Sequence, residues 1–169
     1  RVGTCFLPNY PDPRSAIAWP NIQLCMQLFD RLVEAWPERT IVPSLAERWE
    51  PNSDNSAFTF HLREAKWSNG DPITAHDFVY SLRRGLSPEF AARSAYLAYY
   101  IQGAQSYNEG KARAEDIGVE AIDDRTLKFT LAQSVPFFPG LVAHQFFRPV
   151  PRKAIEKHGQ AWTQPANII

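Results

Sequence analysis

Hydrophobic and polar positions follow their clearest rhythm in residues 58–86, FTFHLREAKWSNGDPITAHDFVYSLRRGL. Phe58, Phe60 and Leu62 alternate with Thr59, His61 and Arg63, the period of two that marks a strand with one buried face. The strand is expected to end near Glu64. Ser68-Asn69-Gly70-Asp71-Pro72 gathers residues that tolerate positive φ, bond their own backbone or fix φ, which predicts a turn. Thr74 and Asp77 have the spacing of a capping box, with the Asp77 carboxylate placed at the positive end of a helix. From there Phe78, Val79, Leu82 and Leu86 recur at helical spacing, which leaves Ser81, Arg83 and Arg84 for the solvent side. Ser87-Pro88 stops the helix.

The same reading extends to both sides. Residues 1–7 suit a short first strand and residues 8–13 an exposed loop of turn-forming residues. Pro20 fits the first position of a helix whose apolar stripe is Ile22, Met26, Phe29, Leu32 and Val33, ending by Pro37. Ile41-Val42-Pro43 reads as a brief extended link. Residues 45–50 fit a helical turn or a strand equally well, and residues 52–56 are a turn. A second helical region is predicted from about Glu89 to Tyr107, with Phe90, Ser94, Leu97, Ile101 and Ala104 on one side and Gly110 at its end. Ile117, Val119 and Ala121, then Leu127, Phe129 and Leu131, flank Asp123-Asp124 as a β-hairpin. Residues 136–142 form a short aromatic helix or turn. Residues 151–158 form another helix, started by Pro151 and closed by Gly159, and residues 162–169 read as extended. Without repeats or a Gly/Ser linker, this order of elements is α+β.

Composition narrows the class. With 169 residues, 44% of them apolar and 13% aromatic, the chain has enough apolar material for a real core, and its length favours one domain with an appended piece. Eighteen basic residues cancel eighteen acidic ones, so no global field argues for nucleic acid or an anionic membrane surface. No apolar run approaches the roughly 20 residues of a membrane span and no charged-then-apolar leader begins at Arg1, which gives the expectation of a soluble chain without a signal segment or direct membrane insertion. Cys5 and Cys25 are either two small buried hydrophobes or a disulfide, and spacing alone leaves both open. Val2-Gly3-Thr4-Cys5 lacks the preceding apolar segment of a lipid-attachment box.

Catalytic and metal templates fail on spacing. There is no glycine-rich phosphate cradle, His-Glu-x-x-His helix, Cys-x-x-Cys pair or Gly-x-Ser-x-Gly elbow. His61, His76, His144 and His158 are scattered, and Asp71, Asp77, Asp123 and Asp124 each have a local task in a turn or cap. No cofactor, metal site or catalysis is expected. Trp49, Trp67 and Phe60 are expected to pack together as core. Trp19 and Tyr96, beside a turn or small residues, are the better candidates for recognition.

Beyond this physics, residues 58–84 resemble the corresponding segment of the family 5 extracellular solute-binding proteins, the oligopeptide-binding proteins that feed bacterial ABC importers. The resemblance continues in order through Asp12-Pro13, Leu28-Phe29-Asp30-Arg31-Leu32, residues 43–49 (PSLAERW), residues 118–127 (GVEAIDDRTL), Pro149-Val150-Pro151 and residues 162–167 (WTQPAN). It covers essentially the whole chain. It implies a two-lobed periplasmic receptor that closes on an extended oligopeptide and hands it to a membrane-embedded ABC permease, without being an enzyme. It further implies that residues 1–20 are a strand and loop of the large lobe, residues 21–162 a small α+β domain with a mixed or antiparallel sheet, and residues 163–169 the start of a return to the large lobe. Two site features carry over: Ala18-Trp19-Pro20 matches a loop whose backbone lies beside bound peptide, and Tyr96 matches a cleft-facing tyrosine. The acidic residue of that first loop is replaced by Ile17 or Ala18, and Trp19 is bulkier than its usual counterpart, so a murein peptide, a saccharide, a metal chelate or a role as an isolated interaction domain stays open.

Overall fold

The computed structural model describes residues 12–16, 18–35 and 40–169. The expected first strand, most of the following loop and Cys5 lie outside them. At the centre is an antiparallel sheet ordered β3-β4-β6-β5, built from β3 (Ala46–Pro51), β4 (Ala57–Leu62), β5 (Val119–Asp123) and β6 (Thr126–Thr130). The alternation read in residues 58–62 sets the register: Phe58, Phe60 and Leu62 are buried while their neighbours are partly exposed. Phe58 lies opposite Phe129, and Phe60 opposite Leu127. Phe129 and Phe138 meet edge to face at 5.2 Å between centroids, and Phe58 meets Phe138 at 5.4 Å. Each fully buried Phe stabilises the fold by about 1.5–3 kcal/mol, so this group anchors the main core.

Helix α2 (Ala75–Leu86) covers the sheet with Phe78, Leu82 and Leu86. Its capping box forms as read: the Asp77 carboxylate accepts the Thr74 N–H at 2.9 Å and the Thr74 hydroxyl at 3.2 Å. The hairpin β5–β6 also forms as read, turned by Asp123, whose carboxylate accepts the Arg125 N–H at 2.7 Å and the Thr126 hydroxyl at 2.9 Å. Of residues 45–50, left open between helical turn and strand, residues 46–50 belong to β3 and Leu45 lies in the bend before it. The link at residues 41–43 is strand β2 (Ile41–Pro43), paired with β1 (Val33–Ala35).

Several expectations are corrected. Helix α1 (Trp19–Leu28) stops nine residues before Pro37. Phe29 turns extended, with φ −127° and ψ 126°, and sets its ring edge to face on Trp162 at 5.9 Å. The carbonyls of Arg31 and Leu32 accept the N–H groups of Leu45 and Ala46 at 3.0 and 2.8 Å, bonds that a continuing helix would not allow. The predicted stripe does not lie along one helix: Phe29, Leu32 and Val33 are buried but lie beyond α1, while on α1 Ile22 is half-buried and Met26 exposed. The region from Glu89 to Tyr107 is not one helix. It breaks into a 3-10 turn (Ala95–Ala98) and α3 (Ala104–Asn108), separated by a bridge from Ile101 to Leu131 and by Gly103 in the left-handed region. Ser81 is fully buried, not solvated: its hydroxyl accepts the Val150 N–H at 2.7 Å. Trp67 packs not with Trp49 and Phe60, which stack at 6.2 Å, but in a second cluster around Cys25, Phe29, Val150 and Trp162. The short aromatic helix is α4 (Phe138–Leu141), and α5 (Arg152–His158) closes at Gly159. Residues 162–169 are not extended throughout, since a 3-10 turn (Gly159–Thr163) is followed by a further turn.

Candidate functional site

The second cluster is where the N-terminal segment joins the rest, and here buried polar groups replace apolar packing. Asp12 starts a tight turn: its carbonyl accepts the Ser15 and Ala16 N–H groups at 3.1 Å each, and its carboxylate accepts the Arg14 N–H at 3.1 Å. The other carboxylate oxygen takes Arg84 of α2 at 2.8 Å, and the Arg84 guanidinium lies over the Phe90 ring at 4.5 Å. Arg14, 1% exposed, crosses α2 at Gly85 and donates to the Arg148 carbonyl at 2.8 Å. Arg148, equally buried, donates to the Cys25 carbonyl near the end of α1. Gln145 donates to the Ala16 carbonyl at 2.6 Å.

Burial pulls the Arg14 guanidinium down to about 9, against the opposing pull of Asp12, and Arg148 down to about 10. Both stay cationic at neutral pH. The Cys25 thiol, free and buried, is pushed up to about 12 by desolvation, so it is a packing group; Cys5, its candidate partner, lies outside the described residues.

This seam delivers the first candidate residues to the surface. Ala18 is exposed and extended, with φ −84° and ψ 141°, at the N-cap of α1, and Trp19 is 66% exposed at the first helical position. Tyr96, 62% exposed, rides on the 3-10 turn whose Ala95 and Ala98 are buried against the main core. The two aromatics therefore stand on different clusters, and among the described residues no ring contact joins them. Sequence reasoning missed Phe137, which is 58% exposed and held edge to face by Tyr100 at 5.5 Å. It also missed Arg14, Gln145 and Arg148. The available signal for the last two was that they interrupt the apolar run from Leu141 to Val150.

Among the cavities that open on the described surface, four are lined by residues other than Ala18, Trp19 and Tyr96. One of about 440 Å³ adjoins the turn that leads to Ala18 and is lined by Asp12, Ser15, Arg84, Phe90, Trp162 and Thr163. Another, about 610 Å³, is lined by Arg63, Lys66, Thr74, Asp124 and Arg125. Among the described residues no three His, Cys, Asp or Glu side chains cluster for a metal ion, and no helix is long and apolar enough to cross a membrane. The four carboxylates weighed as acid–base candidates are occupied locally: Asp77 and Asp123 as above, Asp71 by Lys153 at 3.3 Å, and Asp124 near His76 at 3.5 Å.

The chain resembles known proteins in both sequence and fold. It is 45% identical over 161 residues to the periplasmic oligopeptide-binding protein OppA of Salmonella typhimurium, a match that covers 94% of this chain and 30% of that protein. Among solved structures it superposes on the Escherichia coli murein tripeptide binding protein MppA with a TM-score of 0.90 and 40% identity, over 95% of this chain and 32% of that one. It also superposes on Haemophilus influenzae OppA in complex with the peptide RPPGFSPFR, with a TM-score of 0.87 and 42% identity, over 92% and 31%. The chain thus spans about 30% of the length of the curated relative it matches. Residues 40–169 match the family model for bacterial extracellular solute-binding proteins, family 5 Middle. The chain belongs to the family 5 bacterial extracellular solute-binding proteins.

Proposed function

We propose that this chain supplies part of the periplasmic solute-binding component of an ABC importer, and that the solute is an oligopeptide held extended. In this reading, residues 1–20 belong to the large lobe, residues 21–162 form the small domain, and residues 163–169 begin the return. Ala18 offers backbone to the peptide, while Trp19 and Tyr96 offer aromatic surface to its side chains. The protein binds and releases without chemistry, and its protein partner is the membrane-embedded permease. The observation that carries the reading is the exposure of Trp19 and Tyr96, 66% and 62%, on backbone fixed by buried neighbours, in a chain 45% identical to a peptide-binding protein. Trp and Tyr are enriched among the anchors that carry most of the binding energy at interfaces.

A second reading, a receptor for a murein peptide, is supported by the 0.90 TM-score to the murein tripeptide binding protein. Calorimetry on the full-length protein that contains these residues separates the two, with a tri- to pentapeptide panel against a murein tripeptide. Trp19→Ala and Tyr96→Ala are each expected to weaken peptide binding about tenfold, the usual cost of truncating an aromatic anchor. Unchanged affinity in both variants refutes the assignment of the site. Absence of binding to any panel member refutes the peptide reading. Micromolar binding by the 169-residue chain alone would show that the second lobe is not required.

A further inference from the structure

We infer that Gln145 is a positioning residue for solute recognition: by holding the Ala16 carbonyl it fixes the Ala18-Trp19 edge before any solute arrives. The inference rests on the assignment of that edge to the peptide site. Its basis is the way α1 is held. A ten-residue helix is marginal on its own in water and depends on outside support. This one has less internal support than most. Ala18 provides no side-chain cap, and there is no acidic residue in the first turn or basic residue in the last. Cys25 is its one buried residue. Trp19 therefore begins a helix whose first turn would fray if left to itself.

Part of its outside support comes from one short span. Gln145 grips Ala16, three residues before Trp19, at 2.6 Å. Arg148 grips the Cys25 carbonyl at the far end of the helix, and Arg14 closes the loop by donating to the Arg148 carbonyl at 2.8 Å. The span itself is stitched to α2 through Ser81 and the Val150 N–H at 2.7 Å. Ala16, Gln145 and Arg148 are 2%, 8% and 1% exposed, so these bonds lie where water does not compete for them. The Gln145 amide orientation is set by the contact, because reversing it would bring two acceptors face to face. Together with the Asp12 carbonyl, which accepts the Ala16 N–H at 3.1 Å, this buried donor sets where the exposed backbone at Ala18 and the Trp19 ring are presented, and the binding event is spared the cost of ordering them.

The test uses the full-length protein that contains this chain. Gln145→Met keeps the length and bulk of the side chain but donates no hydrogen bond, whereas Gln145→His retains an N–H donor. Hydrogen exchange without ligand is expected to quicken at least tenfold in Gln145→Met at the Ile22 amide, which donates to the Ala18 carbonyl at 3.0 Å, with β4 and β6 still protected. The dissociation constant for the best-bound member of a tri- to pentapeptide panel is expected to rise about fivefold, the worth of one buried hydrogen bond, and to stay within about twofold in Gln145→His. Equal affinities of the two variants overturn the inference, as does loss of protection throughout β4 and β6, which would make Gln145 a general packing residue. If the unsubstituted protein binds no panel peptide, the functional reading fails; faster exchange at Ile22 with β4 and β6 still protected upholds the positioning of the edge, and unchanged exchange at Ile22 overturns it.

Discussion

Gly103 and Gly70 allow the cost of a close backbone approach to be separated from the cost of an unusual backbone angle. Both have positive φ, +71° and +91°, so alanine at either site pays the left-handed penalty of about 1–2 kcal/mol, offset by about 0.4–1 kcal/mol from the stiffer unfolded chain. They differ in what a Cβ would meet. At Gly70 there is nothing within 4 Å, but at Gly103 the new carbon would lie 2.2 Å from the Asp116 carbonyl oxygen. Relief needs a shift of about 1 Å in one backbone segment or the other. The shift would strain the bonds that tie this corner to the sheet, Gln102 N–H to the Thr130 carbonyl at 3.0 Å and Gly118 N–H to the Gln102 carbonyl at 2.8 Å. At about 1 kcal/mol for each weakened bond, Gly103→Ala is expected to cost about 3 kcal/mol and Gly70→Ala about 1 kcal/mol. Urea unfolding of the two variants beside the parent, at equal slope, measures the difference. Costs that agree within about 0.5 kcal/mol would refute the claim that the approach to Asp116 is what demands glycine.

Ser81→Ala removes the acceptor for the buried Val150 N–H and is expected to destabilise by about 1–3 kcal/mol in the same assay, with faster exchange at the Val150 amide. His144 gives a pH test. Burial, and then the charges of Arg148 and Arg31, hold its imidazole below the ordinary value of 6.5, and its neutral ring accepts the Phe146 N–H at 3.2 Å. Because the unfolded chain takes up this proton at higher pH than the folded one, the contribution of His144 is complete above 6.5 and is lost as pH falls below it towards the folded-state value. His144→Asn, which keeps an acceptor at the cap, should lack that part of the slope in urea midpoints between pH 7 and 5.

The strand, turn and capped helix of residues 58–86 were legible because each rests on neighbours within a few positions: alternation, turn chemistry and a cap four residues wide. The hairpin around Asp123 was legible for the same reason. Where the reading slipped, distant partners decided. The stripe from Ile22 to Val33 fits a helix, but Leu45 and Ala46 claim the carbonyls of Arg31 and Leu32. Helical periodicity from Glu89 to Tyr107 carries no trace of the approach between Gly103 and Asp116. Ser81 sits at a spacing that looks wet, and only the return of the chain at Val150 gives its hydroxyl a buried partner. At the candidate site, Trp19 and Tyr96 could be singled out as aromatics, while the polar seam beneath Ala18 joins residues up to 134 positions apart and leaves almost no local mark.

The two outer strands of the central sheet share an irregularity. The pairing of β3 with β4 shifts between Ala46 and Arg48, and that of β5 with β6 shifts between Ala121 and Asp123. On β3 the exposed flank also carries Glu47, Arg48 and Glu50 and ends in Pro51, which has no N–H to offer. Bulges, charges and proline are the means by which a sheet refuses further strands. Copies of the chain are thereby kept from polymerising through this sheet at high concentration. The same features disfavour an extended peptide adding as a further strand to this sheet.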